Sequence, residues 1–127
     1  MTENEITYIV RKVLLDVHRQ YGPGLYESVY EKILMVRLKQ AGLSPQNQVP
    51  VYIDEDGLRD TVAFKIDILI NEKVVLELKA IKQLTTIDFK QITTQLVLSG
   101  YKLGLLINFR CERILYPPGF NRIVNKL

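Results

Sequence analysis

Asp67, Glu77 and Lys79 are the side chains whose types and spacing could do chemistry. They lie in two mostly apolar runs, Lys65 to Ile70 and Val74 to Ala80, separated by Asn71-Glu72-Lys73. Successive side chains of a strand point to opposite faces. Ile66, Ile68 and Ile70 are therefore expected on one face, with Lys65, Asp67 and Leu69 on the other. Val74, Leu76 and Leu78 likewise oppose Val75, Glu77 and Lys79. A three-residue loop pairs Ile70 with Val74, Asp67 with Glu77, and Lys65 with Lys79. A two-residue loop would set Asp67 against Leu76 and scramble the faces. A slip by one residue turns every side chain to the wrong side, so the pattern selects the first register. The expected hairpin has one apolar face and one face that gathers two carboxylates and two lysines.

Like charges directly opposed in a sheet are destabilising. A sheared, bulged or metal-bound geometry would relieve the strain. A hard divalent cation such as Mg²⁺ accepts one or two carboxylates together with water and phosphate oxygens. Lys79, on the same face as Glu77, could then orient or polarise an attacking water, or stabilise charge developing on a phosphoryl group. The same residues also fit a solvated polar face held by Lys–Asp and Lys–Glu pairs. Spacing alone leaves both readings open.

The elements that must position this hairpin are legible around it. Ile6, Ile9, Val10, Val13, Leu14 and Val17 form one apolar helical stripe, predicting a helix from about Glu3 to Tyr21. Thr2 and Glu5 fit a capping box, and Gly22-Pro23-Gly24 ends the helix. A second helix is predicted from about Leu25 to Ala41. Its apolar residues Val29, Ile33, Leu34, Val36 and Leu38 spread over more than one face, so it is expected to pack on two sides. Val49, Val51 and Ile53 alternate as a strand. Thr85 to Ser99 returns to helix, with Thr85 and Asp88 as a capping pair. Leu103 to Ile107 is an apolar run of the kind found in strands buried on both faces. A short last strand is expected near Arg122 to Asn125. The expected class is α/β bordering on α+β, with a mixed central sheet flanked by helices. The strand after the crossover helix joins in parallel, in the right-handed sense.

The chain has 127 residues, which fits one domain over residues 1–127. One cysteine, Cys111, excludes an internal disulfide framework and a cysteine-cluster zinc site. One histidine, His18, leaves little for a histidine-rich metal site or a histidine-based triad; a hydrogen-bonded structural role is expected for it. No run is apolar enough to span a bilayer, and the acidic, polar start is not a signal peptide. A reduced, cytoplasmic protein without a membrane partner is expected. The net charge of +3 is uneven. Residues up to Glu77 carry nine Lys/Arg against twelve Asp/Glu, and the remainder carries eight against two. A basic second half is compatible with an anionic partner.

Ile66-Asp67, a gap of nine residues and then Glu77-Leu78-Lys79 resembles the D…(D/E)-x-K signature of the PD-(D/E)XK nuclease superfamily. The expected order αβββαβ resembles that superfamily's restriction-endonuclease-like core. Gly24, Glu27 and Tyr30 are similar to the motif that names the GxxExxY family. Further agreement lies at Val17-His18, Gln48-Val49-Pro50, Leu84-Thr85, Gln91 and Gly104 to Phe109. The resemblance spans nearly the whole chain.

The resemblance implies a nuclease that uses Mg²⁺ or Mn²⁺. Asp67 and Glu77 would be metal ligands, joined by the Leu78 carbonyl, and Lys79 would act on the attacking water. Glu27 would complete the metal site from the helix before the sheet. A carboxylate in a first helical turn also gains ~0.3–1 kcal/mol from the dipole without any function. Gln91 matches the glutamine of a Q-x-x-x-Y motif, while Gln95 stands where that motif has tyrosine. Lys82 and Lys90, with Lys102, Arg110, Arg113 and Arg122, fit phosphate contacts or plain surface charge. Tyr30 reads most simply as a packed aromatic whose hydroxyl is satisfied. The expected activity is hydrolysis of phosphodiester bonds in nucleic acid, DNA foremost. The alternative is a non-catalytic nucleic-acid- or protein-binding module on the same fold. The short length favours a homodimer or a partner protein.

Overall fold

A computed structural model describes residues 1–126. Helix α1 (Glu3–Tyr21) starts on the expected capping box: Thr2 Oγ1 accepts from the Glu5 N–H, and Glu5 Oε1 accepts from the Thr2 N–H. Helix α2 (Glu27–Gln40) follows the break at Gly22, whose φ of 71° suits glycine. Then come β1 (Pro45–Tyr52), β2 (Val62–Ile70), β3 (Val74–Lys79), α3 (Thr86–Ser99), β4 (Leu103–Asn108) and β5 (Phe120–Val124).

The five strands form one sheet in the order β1-β2-β3-β4-β5. Only β3 and β4 run parallel; α3 makes the crossover between them. The other neighbours are antiparallel. The chain is thus α/β with a mixed sheet and helices packed on it, as the pattern predicts.

Ile68, Ile70, Val74, Leu76, Leu78, Leu103, Leu105 and Ile107 bury one face of the sheet against the α1 stripe and Tyr30, Leu34 and Leu38 of α2. The other face receives α3. Leu96 packs with Val51, Ile66, Leu69 and Val75, and Ile92 packs with Leu84 and Leu106. Val74 to Leu76 of β3 and Leu103 to Ile107 of β4 are apolar on both faces because helices cover both.

Helix α2 departs from expectation. It buries one side only; Val29 and Val36 are exposed. Its seating depends on Tyr30, which stacks on Phe109 with centroids 3.9 Å apart and planes 5° from parallel. The Tyr30 hydroxyl donates to the Gly22 carbonyl and accepts from the Leu25 N–H, so the expected satisfied aromatic is observed. His18 Nε2 bonds the Phe109 carbonyl at 3.2 Å, the structural role expected of it. Cys111 is free and half-buried, and burial pushes its thiol pKa up. No helix among the described residues is long and apolar enough to cross a membrane.

Gly104 sets the distance between α3 and β4. A Cβ there would stand 2.9 Å from Ile92 Cδ1 and 3.2 Å from Leu96 Cδ1. Both neighbours are buried, so a larger side chain lifts the helix. Gly104→Val is expected to lower the unfolding free energy by about 1–3 kcal/mol, as overpacked cores do. A denaturant melt checks this, and an unchanged midpoint would contradict the close approach.

Candidate active site

The hairpin keeps the expected three-residue loop. Ile70 pairs with Val74, Leu69 with Val75, and Ile68 with Leu76. Asn71 and Glu72 take φ of 53° each to make the turn. The ladder then ends, one residue short of Asp67 and Glu77. The predicted Asp67–Glu77 and Lys65–Lys79 rungs are not formed. The Asp67 side chain takes over there: Oδ2 accepts the Leu78 N–H at 2.8 Å.

The same position breaks the other side of β2. β1 pairs with β2 on both sides of Gln48 and Asp67 but not at them, and Gln48 has a φ of 51°. Across this point the strands change face. Asn47 and Ile68 lie toward α2, whereas Val49 and Ile66 pack in the α3 layer with Leu69 and Val75. This overturns the expectation that Ile66, Ile68 and Ile70 share one face. A non-glycine residue at positive φ inside a strand is uncommon and needs support. Gln48 finds it through its amide: Nε2 donates to Glu31 Oε1 at 2.7 Å and lies 3.5 Å from Asp67 Oδ1. Asn47 Nδ2 donates to Glu31 Oε2 at 3.3 Å.

Glu77 points to the α3 side, alternating with Leu76 and Leu78. It is buried, and Gln95 Nε2 donates to its Oε2 at 2.7 Å. Burial pushes its pKa up to about 9, with the shared hydrogen bond and repulsion from Asp67 adding to the rise. Gln95 and Lys79 pull it down, but by less. Lys79 Nζ lies 3.9 Å from Asp88 Oδ1. Asp88 Oδ2 accepts the Thr85 N–H at 2.7 Å, so the carboxylate that caps α3 also faces the lysine.

Asp67, Glu77 and Lys79 are thus brought to one place, where β2 parts from β3. Leu78 lies between them with its N–H held by Asp67. Glu27 is exposed in the first turn of α2; the carboxylate tied to β1 beside Asp67 is that of Glu31, one turn further on. Gln91 is exposed, and Gln95 is the glutamine that reaches the site. The helix period could have found it. Asp88, Ile92, Gln95 and Leu96 fall at i, i+4, i+7 and i+8, the buried stripe of α3. Gln91 is off that stripe. Lys82 and Lys90 are exposed.

The end of β3 is anchored by a residue that the sequence reading passed over. Asn108 is buried; its Oδ1 accepts the Ile81 N–H at 3.1 Å and its Nδ2 donates to the Ile81 carbonyl at 2.9 Å. Phe109 N–H donates to the Lys79 carbonyl at 2.9 Å. The backbone on which Lys79 stands is therefore fixed from β4.

Among the described residues, no group of three or more His, Cys, Asp or Glu is arranged to hold a metal. Asp67 and Glu77 still fit a hard divalent cation. They are two oxygen donors side by side, a bound cation would displace the proton that burial leaves on Glu77, and Mg²⁺ takes one or two carboxylates and keeps several waters. The buried Oε1 of Gln95 has no partner among the described residues, an acceptor left over at the same place.

A family model of the PD-(D/E)XK nuclease superfamily matches residues 4–123, and the chain belongs to that superfamily. The match runs through every residue of the site just described. No match is found among curated proteins or among solved structures.

The Glu77 shift has a sign that can be tested. Its folded pKa lies above the ordinary glutamate value of 4.5, so the folded state holds a proton that the unfolded state releases. Its contribution to stability is fully present below pH 4.5 and is lost as pH rises toward about 9. Without metal, Glu77→Gln is expected to raise the melting temperature at pH 8 by ~5 °C, a kcal/mol-scale change for a domain of this size. The gain should shrink toward pH 5. Thermal melts at the two pH values check it; equal gains would contradict the assigned burial of charge.

Proposed function

We propose that this PD-(D/E)XK chain is a divalent-metal-dependent nuclease that hydrolyses phosphodiester bonds of nucleic acid, DNA foremost. The observation that carries the reading is the meeting of Asp67, Glu77 and Lys79 at the point where the β2–β3 ladder stops. In the proposal Asp67 and Glu77, with the Leu78 carbonyl, hold Mg²⁺ or Mn²⁺. The cation, when bound, supplies Lewis-acid stabilisation and a more acidic water. Asp67 is held for that task by Leu78 N–H, and Glu77 by Gln95. Lys79 donates a hydrogen bond to the attacking water and to the phosphoryl oxygens on which charge grows. Its ion pair with Asp88 at 3.9 Å is loose enough to yield to a phosphate. Water attacks phosphorus, the ester P–O bond breaks, and the leaving oxygen takes a proton.

Glu27 and Glu31 share a face of α2, four residues apart. The proposal assigns Glu27 a contribution through water rather than by direct ligation. Gly24, Glu27 and Tyr30 support placing the chain in the GxxExxY group. Of these, Tyr30 has a clear physical part in seating α2 on Phe109. Lys82 and Lys90, exposed just before and within α3, are assigned to the nucleic-acid backbone, and Gln91 beside Lys90 to the same surface. A second copy or a partner protein would extend that surface.

The test is cleavage of labelled single- and double-stranded DNA and RNA with Mg²⁺ or Mn²⁺. Lys79→Ala and Asp67→Asn are each expected to cut at least about 100-fold more slowly, the usual loss when a charge-stabilising group is removed. No cleavage of any substrate, or variants as active as the parent, would refute the enzyme reading. Retained nucleic-acid binding without metal binding would then favour the non-catalytic module.

A further inference from the structure

The α3 layer contains a buried polar side chain that packing alone does not explain. Gln95 is 3% exposed and lies between Ile92 and Leu96 on the stripe that seats α3. Its Nε2 donates to Glu77 Oε2 at 2.7 Å. Its Oε1 is buried and has no hydrogen-bond partner among the described residues. A buried acceptor without a donor costs about 1–3 kcal/mol. Leucine or methionine would fill the same stripe without that cost. The amide therefore makes physical sense if the free oxygen gains a donor when the site is filled. Ordered water is the usual partner of such a group.

We propose that Gln95 is a positioning residue that fixes the outer oxygen of Glu77 and uses its free Oε1 to accept a hydrogen bond from an ordered water beside the divalent cation. The inference rests on the metal-site reading above and adds to it a residue that is not itself a ligand. One end of the amide locks the rotamer of the carboxylate. The other end is the buried acceptor without a partner among the described residues, beside Ile92 and Leu96 on the same helical stripe. Partners that orient a ligand in this way typically contribute 10–100-fold to metal affinity.

The experiment is Mn²⁺ titration by calorimetry of the parent, Gln95→Met and Gln95→Glu, with melting curves taken with and without Mn²⁺. Gln95→Met keeps the volume and removes both polar atoms. It removes the unpartnered acceptor but also the donor to Glu77 Oε2, so it is expected to melt close to the parent without metal and to bind Mn²⁺ at least tenfold more weakly. Gln95→Glu keeps an acceptor and loses the donor. It is expected to melt lower than the parent without metal, through repulsion from Glu77, and to gain more from added Mn²⁺ than the parent does. A Gln95→Met protein that binds Mn²⁺ as tightly as the parent overturns the assignment of Gln95 while leaving the metal site standing. A Gln95→Glu protein that gains nothing from Mn²⁺ also overturns it, because its added carboxylate then lies away from the cation. Absence of Mn²⁺ binding by the parent overturns the metal reading and this inference together, so the two failures are separable.

Discussion

Two carboxyl groups that share a small volume at the middle of a sheet impose the conditions that the rest of the structure meets. Moving a carboxylate out of water carries a desolvation cost of several kcal/mol, and a like charge beside it adds to that. The protein meets the cost piece by piece, and each piece comes from a different element. β3 offers the Leu78 N–H to Asp67. α3 offers the Gln95 amide to Glu77. β1 offers Gln48, at the expense of a left-handed backbone in mid-strand. Lys79 supplies the nearest positive charge. The β2–β3 ladder stops at this cluster.

These contributions work only if the layers stand at the right spacing. Gln95 reaches Glu77 because α3 lies directly on β4, which a glycine at position 104 allows. Lys79 keeps its place because Asn108 and Phe109 hold the backbone on either side of the β3 terminus. Phe109 is in turn clamped between the Tyr30 ring and the His18 imidazole, and so ties the α1/α2 layer to the same strand end. Residues far apart in sequence therefore converge on a few backbone atoms beside Lys79. An aromatic stack of this kind contributes about 0.5–1.5 kcal/mol beyond its buried area. Its larger consequence is geometric, since it fixes where β3 ends relative to the helices.

Much of this was legible in the sequence because the signals are local. The Thr2–Glu5 capping box, the break at Gly22, the hairpin register from Ile70 to Leu76 and the parallel strand after a crossover helix follow from period, turn chemistry and handedness. The face change at Gln48 and Asp67 was not legible. Strict alternation assumes an unbroken ladder, and here the Asp67 side chain takes a backbone partner on one side while a left-handed glutamine interrupts the pairing on the other. The choice of Gln91 over Gln95 followed a motif where the helical period pointed elsewhere. Glu31 has no local signal for a related reason: its partners Asn47 and Gln48 lie on a strand whose approach to α2 depends on the irregularity itself.

The irregularity also bears on why the chain would keep such an arrangement at all. Replacing a buried charged cluster with apolar residues of similar volume is often neutral or stabilising. Here an apolar residue at position 77 would continue the alternation of Val75, complete the core against Leu96 and release Gln95 from a buried, half-satisfied amide. A domain built only for stability or for presenting a surface would gain from that change. The cost is concentrated instead on three neighbouring side chains in a hard-oxygen and ammonium combination that a divalent cation and a phosphate would neutralise together. The basic half of the chain begins at Leu78, within the site itself, and includes Lys79, Lys82 and Lys90. Asp67 and Glu77 place negative charge where a cation would compensate it, while Lys79, Lys82 and Lys90 begin the positive stretch that a polyanion would meet.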